Sequence, residues 1–306
     1  MAAYSYPLIS IITLNYNNAE VTRDFLRSLK RDLTYPNTEV IVIDNASKMS
    51  PAEMVAAEYP GAVFIQNNSN QGFAAGNNAG IHVAKGDYFF IVNNDTEVTP
   101  NLLESLLDVF RQYPEAGVVC PKFHYFFHKG VIEYAGYNKV NILTGRNGMV
   151  GAQEEDKGQY DQLTETHYAH GGAMLVSRAV IEKVGPMVED YFLYYEELDW
   201  SERIKKAGFK IYYQPAALIY HKESMSTGKE SPLKTYYLTR NRILFMRRFM
   251  PGAAFLVFAG YFSLFTIPKN TLRYCMARQS THLASFWRGI LWHFNNRFTY
   301  KAAPAG

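Results

Sequence analysis

The chain has 306 residues, 48% of them hydrophobic, and a formal net charge of +3 at pH 7. That length holds one large domain with an appendage or two small ones, and the hydrophobic share is enough for a core. So small a positive excess gives no ground for a nucleic-acid partner, and two cysteines, Cys120 and Cys275, exclude a disulfide framework and point to a reducing compartment.

Leu8 to Leu14 is a β-branched run reached without the basic and apolar segments of a secretory signal. It reads as a strand ending in Asn15-Tyr16-Asn17-Asn18. Ala19 to Arg31 follows as a helix with Val21, Phe25, Leu26 and Leu29 on one face. Glu39 to Ile43 is a second buried strand, stopping at Asp44-Asn45-Ala46-Ser47, and a third runs from Ala62 to Ile65. Phe73 to Ala84 reads as a helix whose Gly72, Gly76 and Gly80 give either a smooth packing face, the preferred reading, or a close approach for a nucleotide. Phe89 to Val92 is a strand without polar alternation, so it is buried on both faces, and Asn93-Asn94-Asp95-Thr96-Glu97 follows it. Strands alternating with helices predict a parallel, doubly wound α/β sheet.

Three polar clusters, 15–18, 44–47 and 93–97, therefore meet at one edge of that sheet, where such folds bind ligands. Asp95 is placed either to hold a divalent cation against phosphate oxygens or, with Thr99, to cap the helix that Pro100 opens. The chain has no GxGxxG or GxxxxGK[ST] loop after its first strand, which argues against a dinucleotide dehydrogenase and a P-loop NTPase.

A helix to about Tyr113 and a strand at 117–120 come next. From Lys122 to Tyr168 the pattern breaks into short aromatic and glycine-punctuated pieces, with the acidic stretch Gln153 to Glu165 read as a flexible flap. Gly171-Gly172 opens another strand and is suited either to a ligand lying against backbone or to a bend. Glu196, Glu197 and Asp199 begin a helix. Negative charge favours that end of a helix, and Asp199 with Arg203 makes an i,i+4 pair. The aromatic run before these acids would also raise a carboxylate's affinity for protons, as a general base requires. Residues 209–213 and 216–220 read as two short strands, the second ending at His221, either structural or a metal ligand.

Taken in order, SIITLNYN (10–17), VIVIDNAS (40–47), NQGFAAGNN (70–78), VNND (92–95), GGAMLV (171–176), YEELDWSER (195–203) and His221 resemble the family 2 glycosyltransferases, inverting enzymes of the GT-A fold, in their rhamnosyltransferase-like branch. The resemblance spans roughly residues 8 to 225. It implies a nucleotide-binding half (1–120), an acceptor-binding half (121–225) and basic aromatic, membrane-associating C-terminal helices (226–306), the first of which, from Lys234, carries a Tyr236-Tyr237 to Arg240-Asn241 segment that resembles one common in this branch. By motif, Asp44 and Asn45 would meet the nucleotide base, with Thr13, Asn15 and Tyr16 lining that pocket and Gly72, Asn77, Asn94, Gly171, Gly172, Glu196 and Asp199 contributing to substrate binding. Asp95 would be the principal ligand of Mn²⁺ or Mg²⁺, with His221 and Asn93 beside it, and Glu197 the catalytic base. Asn93 stands where the family pattern has an acid, and Glu197 where Asp is more usual.

The implied reaction moves a sugar from a UDP- or dTDP-linked donor to a glycan or polyprenyl-linked acceptor. A nucleotidyltransferase and a non-catalytic carbohydrate-binding protein are the alternatives. Gly252 to Ile267 is an uncharged apolar run between two prolines, flanked by Arg and Lys. At slightly less than the roughly 20 residues of a span, it reads as a re-entrant or interfacial helix, with a true span or a buried core helix as alternatives. Basic charge near Trp287 and Trp292 suits the cytoplasmic face of the plasma membrane.

Overall fold

A computed structural model describes residues 6–222 and 231–295. The boundary expected at residue 225 lies outside them. Strands β1 (Ile9–Asn15), β2 (Thr38–Asp44), β3 (Val63–Gln66) and β4 (Tyr88–Val92) pair in parallel, joined by helices α1 (Ala19–Asp32), α2 (Ala52–Glu58) and α3 (Gly72–Val83). After them come β5 (Thr96–Val98), α4 (Leu102–Gln112), β6 (Ala116–Tyr125), β7 (Ile132–Tyr134), β8 (Thr164–Glu165), β9 (Ala173–Ser177), α5 (Arg178–Val184), α6 (Glu196–Lys206) and β10 (Lys210–His221). One sheet runs β3-β2-β1-β4-β9-β6-β10-β5. Only β9 and β5 are reversed along it, so the mostly parallel α/β sheet is as expected.

The helix faces follow the sequence period. Val21, Phe25, Leu26 and Leu29 are buried on α1, and the glycines of α3 let it lie on the sheet. A Cβ at Gly76 would fall 2.6 Å from the Leu14 side chain, and one at Gly80 2.6 Å from that of Ile12. Gly72 acts differently: its φ of +81° is a left-handed conformation, and a Cβ there would collide with the Phe192 carbonyl.

Four expectations need correction. The two strands at 209–213 and 216–220 are one, β10, interrupted between Gln214 and Leu218, where Pro215 has no N–H for the ladder. The polar cluster at 93–97 turns into β5, whose Thr96 lies opposite His221. Neither Thr99 nor Asp95 caps α4: Thr99 Oγ1 donates to the Leu218 carbonyl, and left-handed Asn101 takes the N-cap position. The expected flap is stapled down, because the buried Lys122 ammonium reaches Asp156 and Asp161 while Asp156 also meets His124.

The C-terminal part is helical: α7 (Pro232–Phe249), α8 (Gly252–Tyr261), α9 (Ile267–Met276) and α10 (Ser280–Asn295). A π turn at Phe262–Thr266 joins α8 to α9. It absorbs Pro268, which has no N–H for a regular helical bond. The apolar run therefore does not stop at the proline but forms one helix of 25 residues, Gly252–Met276, long and apolar enough by length and composition to cross a membrane. It is no buried core helix either. Phe258 and Phe262 face inward, whereas Leu256, Leu264, Phe265 and Leu272 are exposed. The inward face joins a second core in which Leu244, Phe245 and Met246 of α7 pack with Tyr191, Tyr195 and Leu198. The C-terminal helices are thus built into the same body as the start of α6.

Candidate active site

At the C-terminal edge of β1, β2 and β4 a cavity of about 440 Å³ opens. Tyr16, Asn45, Asn70, Gly72, Asn93, Asn94, Asp95 and His221 are among its walls. Asp95 and His221 meet because β5 folds back on β10, and the Lys222 N–H donates to the Asp95 carbonyl. His221 Nε2 lies 3.2 Å from Asp95 Oδ1, yet both atoms are buried without a hydrogen-bond partner. The other ring nitrogen, Nδ1, sits 2.8 Å and 2.9 Å from the two carboxylate oxygens of Glu133. Burial opposes a charge on the ring, but the two carboxylates beside it, Asp95 and Glu133, outweigh that and raise its pKa to about 10.

Two orphaned donor atoms facing each other fit a divalent cation, which would take the place of the Nε2 proton. Glu133 would fix the ring's tautomer from behind. Among the described residues no group of three or more His, Cys, Asp or Glu side chains could enclose an ion, so the other ligands would come from Asn93, water or a bound diphosphate.

Pairing of β4 with β9 puts Gly172 against this loop, its carbonyl accepting from Asn93 N–H at 2.9 Å. Gly171 packs on the other side against Glu197, whose side chain a Cβ there would meet at 3.8 Å. The two glycines therefore bridge the candidate metal loop and the candidate base.

Glu197 begins α6 after a loop that carries three non-glycine residues in left-handed conformation, Phe192, Tyr194 and Tyr195, with φ of 64°, 69° and 74°. Such backbone persists only when its surroundings fix it, and α7 does so. Asn241, fully buried, donates to the carbonyls of Tyr191, Leu193 and Tyr194, while Arg240 donates to those of Asp190 and Tyr191. Burial pushes the Glu197 carboxyl up to about 7. Its buried neighbour Glu196 is raised well above the usual range, first by burial and then by the charge of Glu197. Burial thus favours the protonated form of both neighbouring acids, with Glu197 poised near neutrality.

Glu197 opens into a second cavity of about 430 Å³, between α6, α7 and the apolar helix. Tyr194, Ser231 and Lys234 line both cavities, so the two adjoin.

The glycosyl transferase family 2 profile matches residues 10–185, more than half of the chain. The chain belongs to this family. It is 23% identical over 245 residues to the N-acetylglucosaminyl-diphospho-decaprenol L-rhamnosyltransferase of Mycobacterium tuberculosis, covering 73% of this chain and 78% of that one. The low-salt glycan biosynthesis hexosyltransferase Agl10 of Haloferax volcanii is 24% identical over 241 residues, with 77% and 74% covered. Among solved structures, the mannosyltransferase of Pyrobaculum calidifontis in complex with GDP-Man and Mn²⁺ superposes with a TM-score of 0.59 at 15% identity, over 95% of this chain and 88% of that one. GalNAc-T7 with UDP, GalNAc and Mn²⁺ gives 0.61 at 13% identity, over 86% and 57%. Both likenesses are of fold, and they confirm the GT-A architecture.

In this family 2 glycosyltransferase the structure separates the expected site residues into three groups. Tyr16, Asn45, Gly72, Asn93, Asn94, Asp95 and His221 line the first cavity, and Glu197 the second, with Gly171 and Gly172 between. Asp44, Asn15 and Thr13 lie buried beneath the first. Asp44 is already saturated there, accepting from Asn15 Nδ2, Ser47 N and Oγ, and Gln66 Nε2. Three expected residues fall away from both cavities: Asn77, Asp199 and Glu196, which is buried beside Glu197. Asn77 donates to the Phe73 carbonyl of its own helix. Asp199 is fully buried and braced by Tyr191, Arg203 and Arg248, and it makes the i,i+4 pair with Arg203 seen in the sequence. Glu97 likewise pairs with Lys222 and Arg31 instead of the metal loop. Missed by the sequence reading were Glu133, Lys234 and the Arg240-Asn241 clamp; an RN pair inside a basic aromatic helix was the one available sign of the last.

Proposed function

We propose that this glycosyltransferase moves a hexosyl or rhamnosyl unit from a UDP- or dTDP-linked donor to a hydroxyl of a lipid-linked glycan, with inversion, in cell-surface polysaccharide synthesis. The observation that carries this reading is the pair of orphaned atoms, Asp95 Oδ1 and His221 Nε2, in one cavity with the near-neutral Glu197 in the next. Mn²⁺ or Mg²⁺ held by these two side chains would supply a Lewis acid for the donor's diphosphate. Tyr16 and Asn70 offer a ring and an amide to the nucleoside, with Asn45 holding Asn70 and the Gly72 carbonyl in place. Glu197 takes the proton of the acceptor hydroxyl as that oxygen attacks the anomeric carbon on the face opposite the diphosphate, which inverts the centre.

The lipid-linked acceptor is supported by the printed activity of the mycobacterial relative and by the exposed apolar helix Gly252–Met276. With its inner face packed on α7, that helix would lie in the interface of the cytoplasmic leaflet.

A panel of sugar nucleotides assayed with Mn²⁺ and with EDTA tests the reading. Metal-dependent release of nucleoside diphosphate is expected from the wild type. Asp95→Ala should lose both transfer and metal-dependent donor binding, and Glu197→Gln transfer alone. Full transfer by either variant would overturn the role given to that residue.

A further inference from the structure

The cavity next to Glu197 has a charge pattern that sugar binding does not call for. Glu197 is the one carboxylate among its described lining residues, against Arg146, Lys234, Arg242 and Arg273. Arg242 is the telling member. It is only 5% exposed, its Nε has no hydrogen-bond partner, and among the described residues it forms no salt bridge. The Phe262 ring lies 4.8 Å from its guanidinium, and Tyr195, Tyr274 and Arg146 stand near it, the last a like charge that works with burial against its ionisation. The buried amide nitrogen of Asn147, in the same wall, is also without a partner.

A guanidinium sunk into protein beside another cation, with no carboxylate paired to it, is unfavourable unless an anion completes it. Bidentate donors of this kind match phosphate oxygens. We infer that this cavity is a subsite for the diphosphate linking the acceptor glycan to its lipid, with Arg242 at its floor. The inference rests on the transferase reading above and specifies what the acceptor must carry.

The placement is consistent along the whole acceptor. Glu197 meets the sugar hydroxyl beside the donor cavity. The arginines stand next along the pocket. Asn270, Arg273 and Tyr274 of α9 form a wall on the helix that exposes Leu256, Leu264, Phe265 and Leu272, against which a polyprenyl chain can run.

The test is a titration of the full-length protein with inorganic pyrophosphate, without donor or divalent cation, followed by competition with farnesyl diphosphate and with phosphatidylglycerol vesicles. Wild type should bind pyrophosphate. Arg242→Gln should weaken that binding at least tenfold and Arg146→Ala severalfold, while Asp95→Ala, in the donor cavity, retains it. Arg146 is exposed, so its variant keeps the test informative should Arg242→Gln fail to fold. Farnesyl diphosphate should compete at lower concentration than pyrophosphate. Unchanged binding in Arg146→Ala and in a folded Arg242→Gln would overturn the subsite. Displacement by vesicles but not by farnesyl diphosphate would assign the anion to a bilayer headgroup and overturn the acceptor assignment. Because no donor or metal is present, such failures leave the transferase reading standing, and failure of that reading would appear in the Asp95 and Glu197 variants instead.

Discussion

Asn241→Ala tests whether α7 sets the position of the catalytic base. The two amide hydrogens of Asn241 serve three carbonyls, at 2.9, 2.8 and 2.7 Å. Each hydrogen bond contributes about 1 kcal/mol net, and a buried carbonyl left without a partner costs about 1–3 kcal/mol. Arg240 still serves the Tyr191 carbonyl, so two carbonyls lose their donor and the substitution should remove roughly 2–6 kcal/mol. The loop it holds contains three left-handed non-glycine residues, each strained by about 1–3 kcal/mol, so the clamp and the strain are of similar size. Against a native stability of about 5–15 kcal/mol the protein should remain folded while the loop relaxes. Phe192, Leu193 and Tyr194 line the donor cavity, and Glu197 follows directly. Urea unfolding followed by circular dichroism, with transfer kinetics on the same preparation, should show lower stability, at least a tenfold fall in kcat and a raised donor KM. A variant that loses stability as calculated but keeps wild-type kcat and KM would refute the link between clamp and base.

Three further outcomes follow from the site and the sheet. Glu197 must be ionised to act, and its carboxyl is pushed up to about 7. At constant Mn²⁺, kcat/KM should rise about tenfold per pH unit below that value and level off above it; a flat profile across this range would remove Glu197 as the base. Glu133→Gln takes the carboxylate from His221 Nδ1 and should weaken apparent Mn²⁺ affinity about 10–100-fold, with transfer restored at high Mn²⁺; an unchanged Mn²⁺ titration would count against the metal assignment. Gly76→Val forces a side chain into Leu14 and should lower unfolding free energy by about 1–3 kcal/mol, whereas unaltered stability would mean that α3 can lift off the sheet.

The donor half was legible because its signals are local. Each of Leu8–Leu14, Glu39–Ile43 and Phe89–Val92 is an apolar run followed by its own polar tip, and stacking three such units brings the tips together. The state of Asp44 was not legible, since its saturation depends on Asn15 and Gln66 arriving from other strands. Glu133 stood in a stretch without any period, and only pairing of β7 with β6 sets it behind His221. β5 is three residues long, too short to show a pattern. Arg240, Asn241 and Arg242 stood in a basic aromatic helix; what buries the first two is a set of loop carbonyls, and the third lies in the wall of the cavity facing Glu197, neither of which periodicity records.

Those misses share a direction. The family profile ends at residue 185, ahead of Glu197, His221 and α7, and it covers the β1, β2 and β4 tips where a nucleoside diphosphate would sit. Beyond it, the base is held by a loop under strain, that loop by Asn241, and the cavity facing the base by residues of α6, α7 and α9. A donor site made by strand tips tolerates wide change in the rest of the chain, since each tip is fixed by its own strand. The acceptor side has no such support and borrows its walls from the helix that exposes apolar surface. On the proposed reading, with Glu197 as the base and a lipid-borne acceptor, the same helices serve both tasks, so detaching them from the body would undo the position of Glu197 together with any hold on the lipid.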